Sequence, residues 1–452
     1  MTVTPSLTRR EVFSQSWPIM LANGAAPIVG LVDTFVIGRF ATTIALAGIG
    51  LGAVIYGIVY WGFGFLRMST AGLTAQADGA NDQGAVQAHL ARAVPLGVMI
   101  GISVFILQSF FFGAVFHIFT ASEAIETSAS TYIRARLWGL PATLGSIALM
   151  GWFVGISRAR RALSMQLILN GVNLILSPLF VINFGWGLYG VGIASAAAEW
   201  VGFLGGLILA WAEIKRRGGW QRDVLTRRVL LNIEALKKLG VTNGNIFIRT
   251  MTLTLGFNFF GNAAASEGEV FLAANHIHMQ FITMIALVLD SFAHTAEAKT
   301  GAAFGARDKK GFLRAVRLTS EFSAFAAVFS SLLVLILGPV AIGFLTHDPS
   351  VQETALTYLP YCALVPIVGF AVWELDGIFI GITRTKAMRN AGIISVVIYI
   401  GLHFILTPYF GSHGIWLAFL GYYIARGITL AVAYPGIIRD LQPQKAYETR
   451  PH

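Results

Sequence analysis

Asp33 stands in the apolar stretch PIVGLVDTFVIG, six residues after Pro27. A carboxylate in so apolar a setting has to face other polar groups or water. Held there, it can bind a cation or take up a proton, either of which removes the cost of a buried charge. Asn170 and Asn173 lie three residues apart and so share one helix face, with Ser177 a further turn along. Ser195 and Glu199, spaced i, i+4, also share a face. Asp33 with Asn173, Ser177 and Ser195 would supply one negative and several neutral oxygens. Such a set is able to hold a hydrogen-bonded proton or a hard cation such as sodium. Asp290 and His294 recur at turn spacing, and Asp376 lies on a later segment. Together with Asn170 and Glu199 they are expected to line a secondary polar cavity. Pro18 and Pro27 fall in the same stretch as Asp33 and are candidate hinges, because proline removes a helical hydrogen bond. His276 and His278 are two apart and point to different helix faces, so no metal site is expected.

The elements that carry these residues are membrane spans. With 56% hydrophobic and only 12% charged residues, the chain departs from ordinary soluble proteins, which carry about 25% charge. Apolar stretches long enough to cross a bilayer recur along its whole length, about twelve in all, six per half. The approximate spans are 14–38, 44–70, 90–117, 132–154, 160–183, 188–212, 240–262, 270–295, 315–346, 355–380, 391–410 and 413–436. Asp33 is then an intramembrane carboxylate, for which function is the default reading.

The sequence also repeats itself. FVGISRAR from Phe153 returns as FIGITRTK from Phe379, and TAQADGAND from Thr74 returns as TGAAFGARD from Thr300. Both pairs keep one offset, 300 − 74 = 226. Duplicated membrane units are how many secondary transporters are built. Six spans per half put the halves in the same orientation, with a substrate path between them. The expected organisation is an amino-terminal lobe over 1–212, a linker over 213–238 and a carboxy-terminal lobe over 239–452. The linker's DVLTRRVLLNIEALKKL has the spacing of a short amphipathic helix, and a plain solvated connection would read the same way. The repeated LSPLF at Leu176 and LTPYF at Leu406 predict a kink in both lobes.

A net charge of +10 raises the question of nucleic acid, and the placement of the charges answers it. Lys and Arg gather in every second connection: Arg9 and Arg10, Arg158 to Arg161, Lys215 to Arg228, Arg307 to Arg314, and Arg384 to Arg389. The intervening connections hold Glu123, Glu126, Glu267, Glu269, Asp348 and Glu353 instead. Arg39, Arg134 and Arg136 are the exceptions. By the positive-inside rule both termini are expected in the cytoplasm. The basic excess orients a membrane protein, and no nucleic-acid partner is expected. Cys362 is the only cysteine, so no intramolecular disulfide can form. No GxxxxGK[ST] phosphate loop, HExxH or Ser–His–Asp order is present, which argues against ATP-driven transport and against an enzyme. No cofactor is expected beyond a coupling ion, a proton or sodium.

At LVDTFVIG from Leu31, FLRMSTAGLTAQADGA from Phe65, LDSFAHTAEAKTGAAFGARD from Leu289 and LDGIFIGITRTKAMRN from Leu375, the chain resembles the multidrug and toxic compound extrusion (MATE) family. Within it, the likeness is to the DinF-like branch. WPIMLAN from Trp17 and YIRARLWGLPA from Tyr132 fit as well, and the likeness runs from about residue 11 to about residue 436. The resemblance implies an all-α membrane protein of twelve transmembrane helices in two pseudo-symmetric six-helix lobes. It also implies a monomer of the bacterial inner membrane, in contact with lipid. Its substrates would be amphipathic, often cationic organic compounds, bound in an aromatic- and Met-lined cavity and exported in exchange for protons or sodium. A lipid-linked substrate flippase is the alternative from the wider superfamily. The family's essential first-helix Asp falls on Asp33, and the proline whose bending accompanies its protonation matches Pro18. The fifth-helix Asn falls on Asn173 and the sixth-helix hydroxyl on Ser195. Where a second Asp often follows, the chain has Ser177, which weakens a sodium site. The eighth- and tenth-helix acids correspond to Asp290 and Asp376, and His294 stands where the family commonly has an aromatic residue. Asp33 is therefore expected as the one carboxylate of its cluster, among neutral groups.

Overall fold

The computed structural model describes residues 7–40, 42–108 and 122–441. In lipid every backbone N–H and C=O must be paired within its own segment, and the chain answers with helices. The first span is Arg9–Phe40, with Pro18 and Pro27 inside one continuous helix. The second joins Thr43–Gly62 to Phe65–Gly79, and the third is Gln83–Ile106. The expected third span ran to 117, and its part from 109 onward lies outside the described residues. The fourth comprises Glu123–Arg136, a 3-10 turn Leu137–Gly139, and Leu140–Gly155. Pro141, which has no N–H to give, opens that last piece. The fifth, Ala159–Pro178, runs into a π turn at Leu179–Asn183, and the sixth is Gly187–Arg216. Then follow Ile233–Ser266, Glu269–Gly305, Lys309–Leu345, Pro349–Gly381, Thr385–Phe410 and Ser412–Asp440 as spans seven to twelve. Among the described residues, eleven of these spans are long and apolar enough to cross a membrane. The seventh has the length, but Asn243, Asn245, Arg249, Asn258 and Asn262 make it more polar.

The helices gather into two compact units. One is built from Arg10–Asp78 and Asp82–Met251, the other chiefly from Thr252–His452. The same local geometry recurs at both copies of the repeated motifs. Asn81 and Arg307 adopt φ of 56° and 53°, and Ser157 and Thr383 both adopt 57°. Among the described residues these four are the only non-glycine positions with positive φ, and they form two pairs at the duplicate offset. Asp82 accepts from Ala85 N at 2.8 Å, and Asp308 accepts from Gly311 N at 2.9 Å, capping the third and ninth spans alike. Gly151 sits against the carbonyl of Arg67 as Gly377 sits against that of Ala293. Arg158 ion-pairs Glu213 at 2.8 Å, and its duplicate Arg384 ion-pairs Asp440. Strained turns kept at matching positions mark a duplicated unit far more firmly than shared hydrophobicity does.

Of the two readings left open for the linker, a single amphipathic helix over the whole stretch is not what forms. It forms a 3-10 turn at Arg222–Leu225 and a single turn at Arg227–Leu230, and the next helix starts only at Ile233, continuous with the seventh span. Its backbone is instead bound by side chains of the third span. Gln87 donates to Gly219 O at 2.8 Å and accepts from Gln221 N at 2.9 Å, and Arg92 donates to Val229 O. These bonds satisfy polar backbone that a free helix would have paired internally.

Candidate functional site: a buried carboxylate network

Helices in lipid gain little from burying apolar surface, so close approach over small residues decides how they pack. The fourth span is clamped in this way. Gly48 and Gly52 of the second span lie against Ser128 and Tyr132, and Gly192 of the sixth lies against the carbonyl of Tyr132 and Ala135. This fixes the rotation of Glu123–Arg136 and turns Tyr132 and Arg136 inward.

Asp33 is 1% exposed. Its Oδ1 accepts from Ser177 Oγ at 2.9 Å and from Asn173 Nδ2 at 3.4 Å. Its Oδ2 accepts from Ser195 Oγ at 2.8 Å and from Tyr132 Oη at 3.5 Å. Asn173 also donates to Ser195 Oγ at 3.1 Å. The structure therefore brings Asp33, Asn173, Ser177 and Ser195 into one cluster, supplied by the first, fifth and sixth spans.

The expectation of a lone carboxylate among neutral groups does not survive. Arg136 Nη1 stands 3.9 Å from Asp33 Oδ2, and Nη2 stands 3.6 Å from Glu199 Oε1. Unit charges about 4 Å apart attract by about 4 kcal/mol at an effective dielectric near 20, so this cation cannot be ignored. The guanidinium also donates to Tyr132 Oη and lies 4.0 Å from the centroid of the Tyr56 ring. Tyr56 Oη in turn donates to Glu199 Oε1 at 2.9 Å and lies 3.0 Å from Thr143 Oγ1. Glu199 thus belongs with Asp33, one helical turn from Ser195, and not to a separate polar wall. The sequence signal for Arg136 was its place as a cation on the side that the charge rule leaves nearly empty. Tyr132, one turn earlier on the same face, was marked only by the YIRARLWGLPA motif that it opens, and Tyr56 carried no signal of its own.

The remaining candidates lie elsewhere. Asn170 accepts from Gln166 and donates to Ala25 O at 2.6 Å, tying the fifth span to the first. Pro18 is buried and Pro27 exposed on the first span. Asp290, His294 and Asp376 belong to the other compact unit. There Asp376 accepts from Arg426 of the twelfth span in a buried ion pair, while Asp290 and His294 are half-buried on the eighth.

The MatE family model matches residues 18–179 and 246–405. The chain is 32% identical over 417 residues to DNA damage-inducible protein F of Escherichia coli, covering 92% of this chain and 90% of that protein. It is 23% identical to a probable multidrug resistance protein NorM of Acinetobacter baylyi, covering 91% and 92%. In fold it is similar to a crystal structure of MATE in complex with MaD5, with a TM-score of 0.83, 18% identity and 96% of each chain covered. It is also similar to a MOP superfamily transporter from Pyrococcus furiosus, with a TM-score of 0.81, 18% identity and 96% and 97% coverage. A duplicated bundle of membrane helices with a buried carboxylate network, matched by this family over most of its length, belongs to the multidrug and toxic compound extrusion (MATE) family of efflux transporters and is not an enzyme.

Proposed function

We propose that the chain is a proton-coupled antiporter of the bacterial inner membrane that expels amphipathic, often cationic organic compounds by alternating access. It acts as a monomer in lipid with both termini in the cytoplasm. One observation carries this reading: Asp33, buried on the first span, is held by hydrogens from Ser177, Ser195, Asn173 and Tyr132. An ionised carboxylate only accepts, whereas a protonated one must also donate. Loading a proton therefore forces one of these donors to turn, which gives the protonated and ionised states different helix packing. Coupling requires only that proton and substrate favour different states. Sodium would need lone pairs aimed at it, and here the hydroxyl and amide hydrogens converge on the carboxylate. The substrate class is the one the family resemblance implies, and the likeness to a probable multidrug resistance protein supports it.

The test is efflux from inside-out vesicles under a proton gradient and a sodium gradient imposed separately. Export is expected to follow the proton gradient alone; export that follows sodium and ignores protons overturns the assignment. For the orientation, single cysteines are placed in a Cys362→Ser background. Residue 222 should react with impermeant maleimide only from the inner side, and labelling from outside would reverse the topology.

A further inference from the structure

The proposed coupling site contains more charge than that role alone requires. Asp33 and Glu199 are two buried carboxylates, and the guanidinium of Arg136, near both, is always protonated. It sits 3.9 Å from one acid and 3.6 Å from the other. Neither separation is a hydrogen bond; the guanidinium donates to Tyr132 Oη and lies over the Tyr56 ring, 4.0 Å from its centroid. Arg136 Nε and Glu199 Oε2 are both buried without a hydrogen-bond partner. That leaves each group a free valence for closing onto the other.

We infer that the proton-binding unit is the Asp33/Glu199 pair sharing Arg136, with Glu199 a second proton acceptor and Arg136 a tethered counter-ion that exchanges between them. The inference rests on the reading of Asp33 as the coupling group and deepens it. Charge counting gives the reason. With both acids ionised the unit carries one net negative charge, and a single proton neutralises it. When Asp33 holds the proton, Arg136 is left to Glu199; when Glu199 holds it, Arg136 closes on Asp33. Either acid by itself would be neutralised by Arg136 and would have no use for a proton. The tethered guanidinium also supplies the positive charge that a bound sodium would bring, which selects a proton over a metal cation. Among the described residues the groups bonded to or bordering the unit are uncharged: Tyr56, Tyr60 and Thr143 toward Glu199, and Tyr132, Asn173, Ser177 and Ser195 toward Asp33, with the cationic Arg67 beyond Tyr60.

This makes a prediction that Asp33 acting alone does not. Glu199→Gln keeps the size of the side chain and an oxygen for Tyr56, and it leaves Asp33 in place. It should nevertheless abolish coupling, because Arg136 then neutralises Asp33 permanently. Adding Arg136→Gln should restore coupling by leaving Asp33 as the one charge. Purified wild type, Asp33→Asn, Glu199→Gln and Glu199→Gln/Arg136→Gln are compared by pH-difference infrared spectroscopy in nanodiscs, reading the carboxylic-acid C=O band. Proton-driven efflux of ethidium from proteoliposomes is measured in parallel. The band is expected in wild type, lost in both single variants and regained in the double variant. Efflux should fall at least about tenfold in Glu199→Gln and recover in the double variant. A Glu199→Gln protein that keeps the wild-type band and proton-driven efflux overturns the inference while leaving Asp33 as the coupling group. A double variant no better than Glu199→Gln assigns the loss to packing and also overturns it. Wild type with neither the band nor proton-driven efflux removes the underlying reading, and the inference falls with it.

Discussion

Asp33→Asn should reduce proton-gradient-driven export by about 100-fold, the scale of a coupling free energy of about 3 kcal/mol, while leaving substrate binding measurable. The amide fills the same space, and its oxygen can still accept from Ser177 or Ser195, each below 3 Å in the native cluster. What it lacks is a second protonation state. The variant is therefore fixed in one hydrogen-bonding pattern, and the pH dependence of binding should vanish with the transport. Equilibrium binding of a fluorescent cation at several pH values, together with vesicle efflux, separates the two effects. Normal export by Asp33→Asn removes Asp33 from the coupling. Binding lost at every pH makes it a substrate ligand instead.

Gly151→Ala and Gly377→Ala should each destabilise the protein by about 3 kcal/mol, at the upper end of ordinary overpacking. A Cβ at Gly151 would lie 2.3 Å from Arg67 O, and one at Gly377 would lie 2.2 Å from Ala293 O. The obstacle is helix backbone, which cannot rotate away as a side chain can, so the crossing spans must separate. Gly171→Ala, on the fifth span with open space around it, is the comparator and should stay within about 1 kcal/mol of wild type. Thermal midpoints in detergent decide the matter; equal midpoints for Gly151→Ala and Gly171→Ala would show that the crossing is loose. Because the two crossings are duplicates, similar losses are expected in both units.

Much of the architecture is local information, and so it was legible in the residues. Span lengths follow from runs of apolar side chains measured against bilayer thickness. Helix ends follow from caps such as Asp82 and Asp308, whose carboxylates bind the first free N–H groups. The duplication was readable because the residues flanking each turn recur: Gly79 and Asp82 return as Gly305 and Asp308, and Gly155 and Arg158 as Gly381 and Arg384. Asp33, Asn173, Ser177 and Ser195 could be singled out because a polar group inside an apolar run must find a partner, wherever that partner lies.

Which partner it finds is a tertiary matter. In the sequence Arg136 stands out only as an exception to the charge pattern, inside the expected fourth span 132–154, and Glu199 reads as part of another wall. Only the rotation of Glu123–Arg136, set by close contacts with Gly48, Gly52 and Gly192, brings Arg136 within reach of both Asp33 and the sixth span's Glu199. Those contacts join the second, fourth and sixth spans, and no periodicity within one helix encodes them. Asp376 is the same lesson in the other unit: its partner, Arg426, stands two spans further along the chain. Sequence alone determined which groups could not remain unpaired in the membrane. The packing of one helix against another decided how charge is shared among them, because an ion pair depends on a few ångströms of separation that spacing along a chain does not set.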